Sequence, residues 1–172
     1  ASGVVIEVGG QAITFPREKV RAIYFGPLPA PTQPSAVQEA LRALKALQSV
    51  TSAGVTYRDY GPRVGDAKIQ ADRYLSEPKG TTAETRLAIA EAMGFYVLAS
   101  SAWSASIRND WMGYDTITRD ALFVQCRHAT HVISVFLEKG GSRLIESARP
   151  VLSALWACGS EKIAETERLL GK

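Results

Sequence analysis

The stretch TTAETRLAIAEAMGFYVLASSAWSASI, residues 81–107, decides the fold of this chain. Its large apolar residues recur at intervals of three and four, as at Ile89, Met93 and Tyr96, and therefore lie on one face of a helix. A second apolar stripe runs beside the first, and a helix with so much apolar surface needs neighbours on more than one side. We therefore predict one long buried helix at the centre of a helical bundle.

Local signals mark the start and the middle of this helix. Thr81 or Thr82 can cap its start, and Thr81 and Glu84 have the spacing of a capping box. Gly94 costs about 1 kcal/mol relative to alanine inside a helix, so we expect a close backbone contact there. We interpret the apolar stripe as core packing, and a cofactor slot between its aromatic residues is the alternative.

Apolar periodicity also predicts two helices before the central one. Helix one covers residues 35–52 with Ser35 as its cap, and helix two covers residues 56–76 with Thr56 as its cap. Pro62 should kink helix two or delay its start, because proline cannot donate a backbone hydrogen bond.

The segment that follows the central helix is predicted as a loop at residues 108–114. It holds Trp111, Met112 and Tyr114, which either plug the end of the bundle or mark a binding site. A fourth helix then covers residues 115–138, where Asp115 or Thr116 acts as the cap, and its apolar pattern predicts burial equal to that of the central helix.

Residues 142–170 are predicted as one kinked helix or two, with a break at Gly159 and Ser160. At the other end of the chain, residues 4–25 are rich in β-branched residues and are predicted as a three-stranded antiparallel meander, whose third strand covers residues 20–25. The open edges of such a meander could pair with a second copy of the chain, which would give a homodimer.

These elements predict a mainly α fold, an antiparallel bundle of four to six helices with a short N-terminal β-meander. The meander occupies residues 1–26 and the bundle residues 35–172. Between them, residues 27–34 are rich in proline and are interpreted as an extended linker, with a polyproline ligand for another domain as the alternative.

Composition restricts the classes of protein to which the chain can belong. The net charge of its 172 residues is only +3 and no dense run of Lys or Arg occurs, so the signal for nucleic-acid binding is weak. No apolar run approaches the length of about 20 residues that a membrane span requires. The chain begins Ala-Ser-Gly, which suits removal of a signal peptide or of an expression tag, and we expect a periplasmic or secreted protein.

The two cysteines and two histidines are the residues with most chemical potential. Cys126 and Cys158 could form a disulfide in an oxidising compartment or stay separate as buried thiols. His128 and His131 could both reach one metal ion, but zinc sites usually have three or four protein ligands, and no acidic residue has suitable spacing from the pair. Motifs for phosphate loops, dinucleotide binding, zinc proteases and serine hydrolases are absent, so we predict no catalytic, cofactor or metal residue.

Four segments in a fixed order carry a resemblance to a known class of proteins. They are EKVRAIYF at residues 18–25, AVQEALRALKAL at 36–47, GVTYRDYGPRVGDAKIQADRYL at 54–75 and SSAW at 100–103. In this order the chain resembles exported bacterial proteins of unknown function, in which an SH3-like or Sm-like strand module precedes a helical bundle. The resemblance covers about the first 105 residues and implies a location in the cell envelope, without any activity to transfer.

We therefore interpret the chain as a non-catalytic helical-bundle protein of the bacterial envelope that binds a protein or a small ligand. One alternative is a metal-binding protein or enzyme that uses His128, His131 and Cys126. A second alternative is a weak nucleic-acid binder that uses the basic residues of the meander, Arg17, Lys19 and Arg21.

Overall fold

The structure, a computed structural model, divides the chain into two compact units, Ala1–Gln33 and Pro34–Lys172. The parts of the chain that it describes are residues 3–8, 11–16, 35–77, 81–141 and 144–171. The first unit contains strands β1 (Gly3–Val8) and β2 (Gln11–Pro16), which pair antiparallel with Ile6 opposite Ile13. The predicted third strand, residues 20–25, and the predicted linker, residues 27–34, lie outside the described residues.

The second unit is a helical bundle, which confirms the predicted mainly α fold. Its described residues form α1 (Ala36–Ala53), α2 (Tyr57–Ser76), α3 (Ala83–Arg108), α4 (Trp111–Thr118), α5 (Ala121–Gln125), α6 (Arg127–Glu138) and α7 (Ala148–Leu170). A short 3-10 helix, Leu144–Ser147, leads into α7. The number of α-helices exceeds the predicted four to six because one predicted helix is divided into shorter pieces.

The first two helices begin where their caps were predicted. The backbone N–H of Ser35 donates to Gln38 Oε1 at 3.2 Å, and Thr56 Oγ1 accepts a hydrogen bond from the N–H of Asp59 at 3.3 Å. Pro62 lies inside α2 and does not delay its start at Tyr57. These helices form because each combines a polar cap with an apolar face that packs against the core.

Helix α3 is the predicted central helix. Thr82 caps it by accepting a hydrogen bond from the N–H of Thr85 at 3.2 Å, so the predicted capping box between Thr81 and Glu84 is wrong by one residue. Asn109 ends the helix in the left-handed conformation with φ 53°, which asparagine adopts more readily than most residues. The buried residues of α3 are Thr85, Ala88, Ile89, Ala92, Met93, Phe95, Tyr96, Ala99, Ala102 and Ala105.

Helix α7 forms the most extensive helix–helix contact of the bundle with α3. The two helices approach closely because Gly159 of α7 faces the ring of Tyr96, and a Cβ at residue 159 would lie 2.9 Å from Tyr96 Cε2. The predicted break at Gly159 and Ser160 is therefore wrong, since α7 continues through both residues. The glycine at this position serves helix packing rather than helix termination.

The close contact predicted at Gly94 is present, and its partner is a side chain. A Cβ added at Gly94 would overlap Leu122 Cδ2 of α5. A glycine inside α3 thus makes room for a neighbouring leucine, which accounts for a residue that is unfavourable inside a helix.

The predicted loop at residues 108–114 is wrong from Trp111 onward, and the helix predicted at residues 115–138 is divided rather than continuous. The chain instead forms α4, α5 and α6, residues 111–138, which we call the segmented arm. Asp110 caps α4 through the N–H of Gly113 at 2.9 Å, and Asp120 caps α5 through the N–H of Leu122 at 2.8 Å. Each aspartate starts a new helix because its carboxylate satisfies a backbone donor that the preceding helix cannot.

The predicted burial of this segment is also wrong. Ala129 is the only residue of α6 that is fully buried, while Val132 and Ile133 pack against the core and remain half-buried. Asp115 and Thr116, the predicted caps, lie inside α4. Gly140 adopts φ 78° just after α6, in agreement with the predicted end of the helix near Lys139.

Candidate functional site

A disulfide between Cys126 and Cys158 is the first component of the candidate site. The S–S distance is 2.11 Å and the two Cα atoms lie 5.9 Å apart. Cys126 occupies the junction between α5 and α6, and Cys158 lies in α7, so the bond joins the segmented arm to a helix of the core. Of the two arrangements that the sequence left open, the structure has the disulfide.

A cleft of about 520 Å³ opens beside this disulfide. Cys158 contributes to its wall, and Phe95 of α3, which is almost fully buried, contributes an aromatic surface. The remaining charged or titratable side chains of the wall are Arg127, His128, Glu161 and Lys162. The cleft therefore combines an apolar surface with groups of both charges, a composition that suits a small polar ligand.

His128 and Glu161 meet at the cleft. His128 Nε2 lies 2.7 Å from Glu161 Oε1, and their side chains are 50% and 66% exposed. The ligand atoms of His128, Glu161 and Cys158 all lie within 4.8 Å of one another. Imidazole, carboxylate and thiolate groups are the ligands that zinc prefers, so the cluster has the donor set of a metal site once the sulfur is released from its disulfide.

The spacing of residues along α7 places Glu161 beside Cys158. The two residues are three apart in α7, and residues at this spacing are neighbours on a helix surface. His128 follows Cys126 at the start of α6, and the disulfide holds that start against α7. The covalent bond thus brings together side chains that come from two separate helices.

Lys162 lines the cleft and contacts two carboxylates outside it. Its Nζ lies 2.9 Å from Glu91 Oε2 of α3 and 2.9 Å from Glu165 Oε2 of α7. The contact with Glu91, and then that with Glu165, raise the pKa of Lys162. The ammonium group is therefore held as a cation beside the cleft, in a bridge between α3 and α7.

The structure does not assemble the set of residues considered from the sequence as a metal or catalytic alternative. His128 belongs to the cluster, but His131 is exposed on α6 and is not a member of it. Cys126 is bonded to Cys158. The sequence interpretation missed four residues of the cleft wall, namely Phe95, Arg127, Glu161 and Lys162. For Glu161 and Lys162, the spacing of three and four residues from Cys158 was a usable signal.

The aromatic residues predicted as a loop have divided roles. Tyr114 is fully buried, and its hydroxyl lies 3.2 Å from Ser147 Oγ, while burial raises its pKa to about 12. Trp111 and Met112 are 67% and 65% exposed at the start of α4. Only Tyr114 thus fits the interpretation in which these residues plug the bundle.

Four aromatic rings form a second cluster at the contact of α2, α3 and α7. They belong to Tyr57, Tyr60, Trp103 and Trp156, with ring centroids of neighbouring pairs 5.6–5.9 Å apart. Tyr60 donates to the carbonyl oxygen of Tyr96 at 2.9 Å and accepts from Trp156 Nε1 at 2.8 Å, while burial raises the pKa of Tyr60. The buried and hydrogen-bonded ring of Tyr60 is typical of a core rather than of a ligand groove, while Tyr57 is 40% exposed.

The basic residues considered for nucleic-acid binding, Arg17, Lys19 and Arg21, lie outside the described residues. Within the described residues, no helix combines the length and the apolar character needed to cross a membrane. Comparison with known proteins finds no matching family model, no matching curated protein and no matching solved structure. The resemblance to exported proteins with an SH3-like or Sm-like module therefore stays a prediction.

Proposed function

We propose that this chain is a non-catalytic binding protein of the bacterial cell envelope, and that the cleft between α6 and α7 holds a small polar ligand. The observation that carries the proposal is the disulfide between Cys126 and Cys158 in the wall of that cleft. Disulfides persist in oxidising compartments such as the bacterial periplasm and are rare in the cytosol. The covalent bond supports an exported location and also shapes the binding surface.

The composition of the cleft supports a ligand that carries both charges or several hydrogen-bonding groups. Arg127 and Lys162 offer cations, Glu161 offers a carboxylate, and Phe95 offers an apolar surface. A ligand in this position would contact side chains from α3, α6 and α7. Its binding would therefore stabilise the attachment of the segmented arm to the core.

The location is tested by the thiol state of the protein inside its natural host. Cells are quenched with acid, and free thiols are alkylated and counted by mass spectrometry in the periplasmic and cytoplasmic fractions. We expect the chain in the periplasmic or secreted fraction with both cysteines unreactive. Recovery of the chain in the cytoplasm with two free thiols would overturn the proposed location.

Ligand binding is tested by a thermal-shift screen of amino acids, small peptides and sugar phosphates with the oxidised protein. Arg127→Glu should abolish the shift of any hit, because it reverses a charge in the wall of the cleft. Arg149→Glu is the matched control, since Arg149 is exposed on α7 and is not part of the cleft. A hit that responds equally to both variants would place the ligand elsewhere, and turnover of a hit would contradict the non-catalytic assignment.

A further inference from the structure

We propose that the cleft is a redox-gated zinc site, in which reduction of the disulfide between Cys126 and Cys158 completes a four-ligand set with His128 and Glu161. The inference rests on the proposed binding role of the cleft and adds a second ligand, a zinc ion, whose binding depends on the redox state of the two cysteines. Its geometric basis is the convergence of His128, Glu161 and Cys158 within 4.8 Å of one another.

The spacing of these groups fits a zinc ion after a small adjustment. Zinc binds sulfur at about 2.3 Å and imidazole nitrogen at about 2.0–2.1 Å, so donor atoms of a tetrahedral site lie about 3.3–3.8 Å apart. The sulfur of Cys126 is bonded to that of Cys158 but lies outside this group of three donors, 3.5 Å from the carbonyl oxygen of Ala154, so it must turn toward the ion after reduction. Release of the bond allows the two sulfurs to separate to the distance that a shared ion requires.

Gating follows from the number of ligands in each redox state. While the disulfide is intact, His128 and Glu161 alone hold donor atoms that can bind zinc, and two exposed ligands give weak binding. Reduction adds two thiolates, because thiolate is the form of cysteine that binds metal. The reduced protein therefore has the Cys₂HisGlu donor set, which matches the usual four ligands of a structural zinc site in number and kind.

The reduction step is a thiol–disulfide exchange with a dithiol reductant. One thiolate of the reductant attacks the sulfur of Cys158, which lies in the wall of the cleft, and Cys126 leaves as a thiolate. The second thiol of the reductant then displaces Cys158, so two electrons pass to the protein and the reductant becomes a disulfide. Binding of Zn²⁺ displaces two protons in total from the two cysteine thiols.

The charge of the occupied site is compensated by its surroundings. A Zn²⁺ ion bound by two thiolates and by the carboxylate of Glu161 carries a net charge of about −1, because the ligands bring three negative charges to an ion with two positive charges. Arg127 and Lys162 line the same cleft and supply nearby cations. Lys162 already contacts the carboxylates of Glu91 and Glu165, so Arg127 contributes more to this compensation than Lys162 does.

The test is a titration of the full chain with Zn²⁺ alone, in the oxidised state and after reduction with a phosphine. We expect one zinc ion per reduced chain, and binding at least roughly 100-fold weaker in the oxidised chain, because two of four ligands are missing. Co²⁺ as a spectroscopic probe should show thiolate-to-metal charge-transfer absorption in the reduced chain only. Equal zinc affinity in both redox states, or no zinc in the reduced chain, would overturn the proposal.

Variants identify the ligands. His128→Ala and Glu161→Gln should each lower the zinc affinity of the reduced chain by more than the roughly 10–100-fold that loss of a supporting group costs. His131→Ala and Glu167→Gln are the matched controls, on the same two helices but outside the cluster and the cleft, and should leave the affinity unchanged. An affinity unaffected by His128→Ala would overturn the assignment of that histidine as a ligand.

Circular dichroism during the titration keeps the proposal testable if reduction unfolds the chain. Zinc should then restore the helical signal of the wild type and fail to restore that of His128→Ala, and failure with the wild type would overturn the proposal. The ligand screen uses the oxidised protein, so its result is independent of zinc binding. A hit in that screen without zinc binding to the reduced chain would retain the binding function and remove the redox-gated site.

Discussion

Helix α3 and the segmented arm have similar apolar content but are stabilised in different ways. Ten of the 26 residues of α3 are buried, and its most extensive contact with another helix is the one with α7. In the arm, each of α4, α5 and α6 has one buried residue, namely Tyr114, Phe123 and Ala129. The arm adds local caps and one covalent bond to its contacts with α3 and α7.

This difference shows that an apolar stripe identifies a helix face without fixing how much of it is covered. Side chains of α3 meet neighbours on several sides, because small residues and Gly159 allow α7 to approach. In the arm, Val132 and Ile133 pack against the core and remain half-buried. Few buried contacts leave an element with low local stability, which suits a region that carries a binding cleft.

The largest expected effect comes from removing a core side chain of α7. Leu155 is fully buried, so Leu155→Ala should lower the free energy of unfolding by about 2–5 kcal/mol, through lost burial and the cavity left behind. Leu137→Ala is the matched control in the arm, because Leu137 is 52% exposed, and it should change stability by less than about 0.5 kcal/mol. Urea denaturation measures both, and equal losses would contradict the contrast between the two regions.

The next effect comes from removing the covalent bond of the arm. The disulfide closes a loop with a sequence separation of 32, so the double variant Cys126→Ala/Cys158→Ala should lose about 3–4 kcal/mol in the chain-entropy model. The loss should appear in hydrogen exchange as faster exchange of the amides of α6, while those of α3 change only with global stability. Uniformly faster exchange in both helices would show that the arm unfolds together with the core.

The sequence predicted the elements whose signals are local. Ser35, Thr56 and Thr82 each precede a long apolar periodicity, so α1, α2 and α3 could be placed to within about two residues. The division of the arm was missed, although Asp110 and Asp120 stand at positions typical of caps. An unbroken apolar periodicity outweighed them, because nothing in a single sequence shows that the helix axis must turn at those residues.

The candidate site was predictable only in part. The spacing of Cys158, Glu161 and Lys162 could have been recognised, but the assumed break at Gly159 separated the cysteine from the two charged residues. The approach of His128 to Glu161 depends on the packing of α6 against α7 and on the disulfide. Such contacts between distant segments have no signature in the local pattern of residues.

The stability of the protein at alkaline pH tests whether Tyr114 of the arm is buried in the folded state. Burial raises the pKa of Tyr114 to about 12 and outweighs the hydrogen bond with Ser147, which lowers it. An unfolded tyrosine titrates near the ordinary value of 10.0. The folded state therefore keeps a proton that the unfolded state loses, so this contribution to stability is complete below about pH 10 and declines between about pH 10 and 12. At about pH 11, the contribution of Tyr114 to the free energy of unfolding should have fallen by roughly 1.4 kcal/mol.

Tyr114→Phe removes this titration and should reduce the loss of stability between about pH 9 and 11 by that roughly 1.4 kcal/mol. Urea denaturation at the two pH values, with wild type and variant side by side, measures the difference. Tyr60 stays in both proteins, so its own alkaline titration cancels from the comparison. Identical pH dependence in the two proteins would show that Tyr114 is accessible to solvent in the folded state.

The smallest expected effect concerns the close contact between α3 and α7. In Gly159→Ala the new Cβ would lie 2.9 Å from Tyr96 Cε2, and Tyr96 is fully buried, so the ring must shift. Overpacking of this kind costs about 1–3 kcal/mol, and the higher helix propensity of alanine returns about 1 kcal/mol. We therefore expect a net loss of about 1 kcal/mol in the free energy of unfolding.

Gly65→Ala in α2 separates the two contributions to that prediction. A Cβ at Gly65 meets nothing within 4 Å, so alanine should raise stability by up to about 1 kcal/mol through helix propensity alone. Opposite signs for the two substitutions would show that Gly159 is required by the packing of α7 against Tyr96. A gain in both would mean that α3 and α7 can separate slightly at no cost, and the contrast between a tightly packed core pair and a loosely covered arm would then be weaker than the structure indicates.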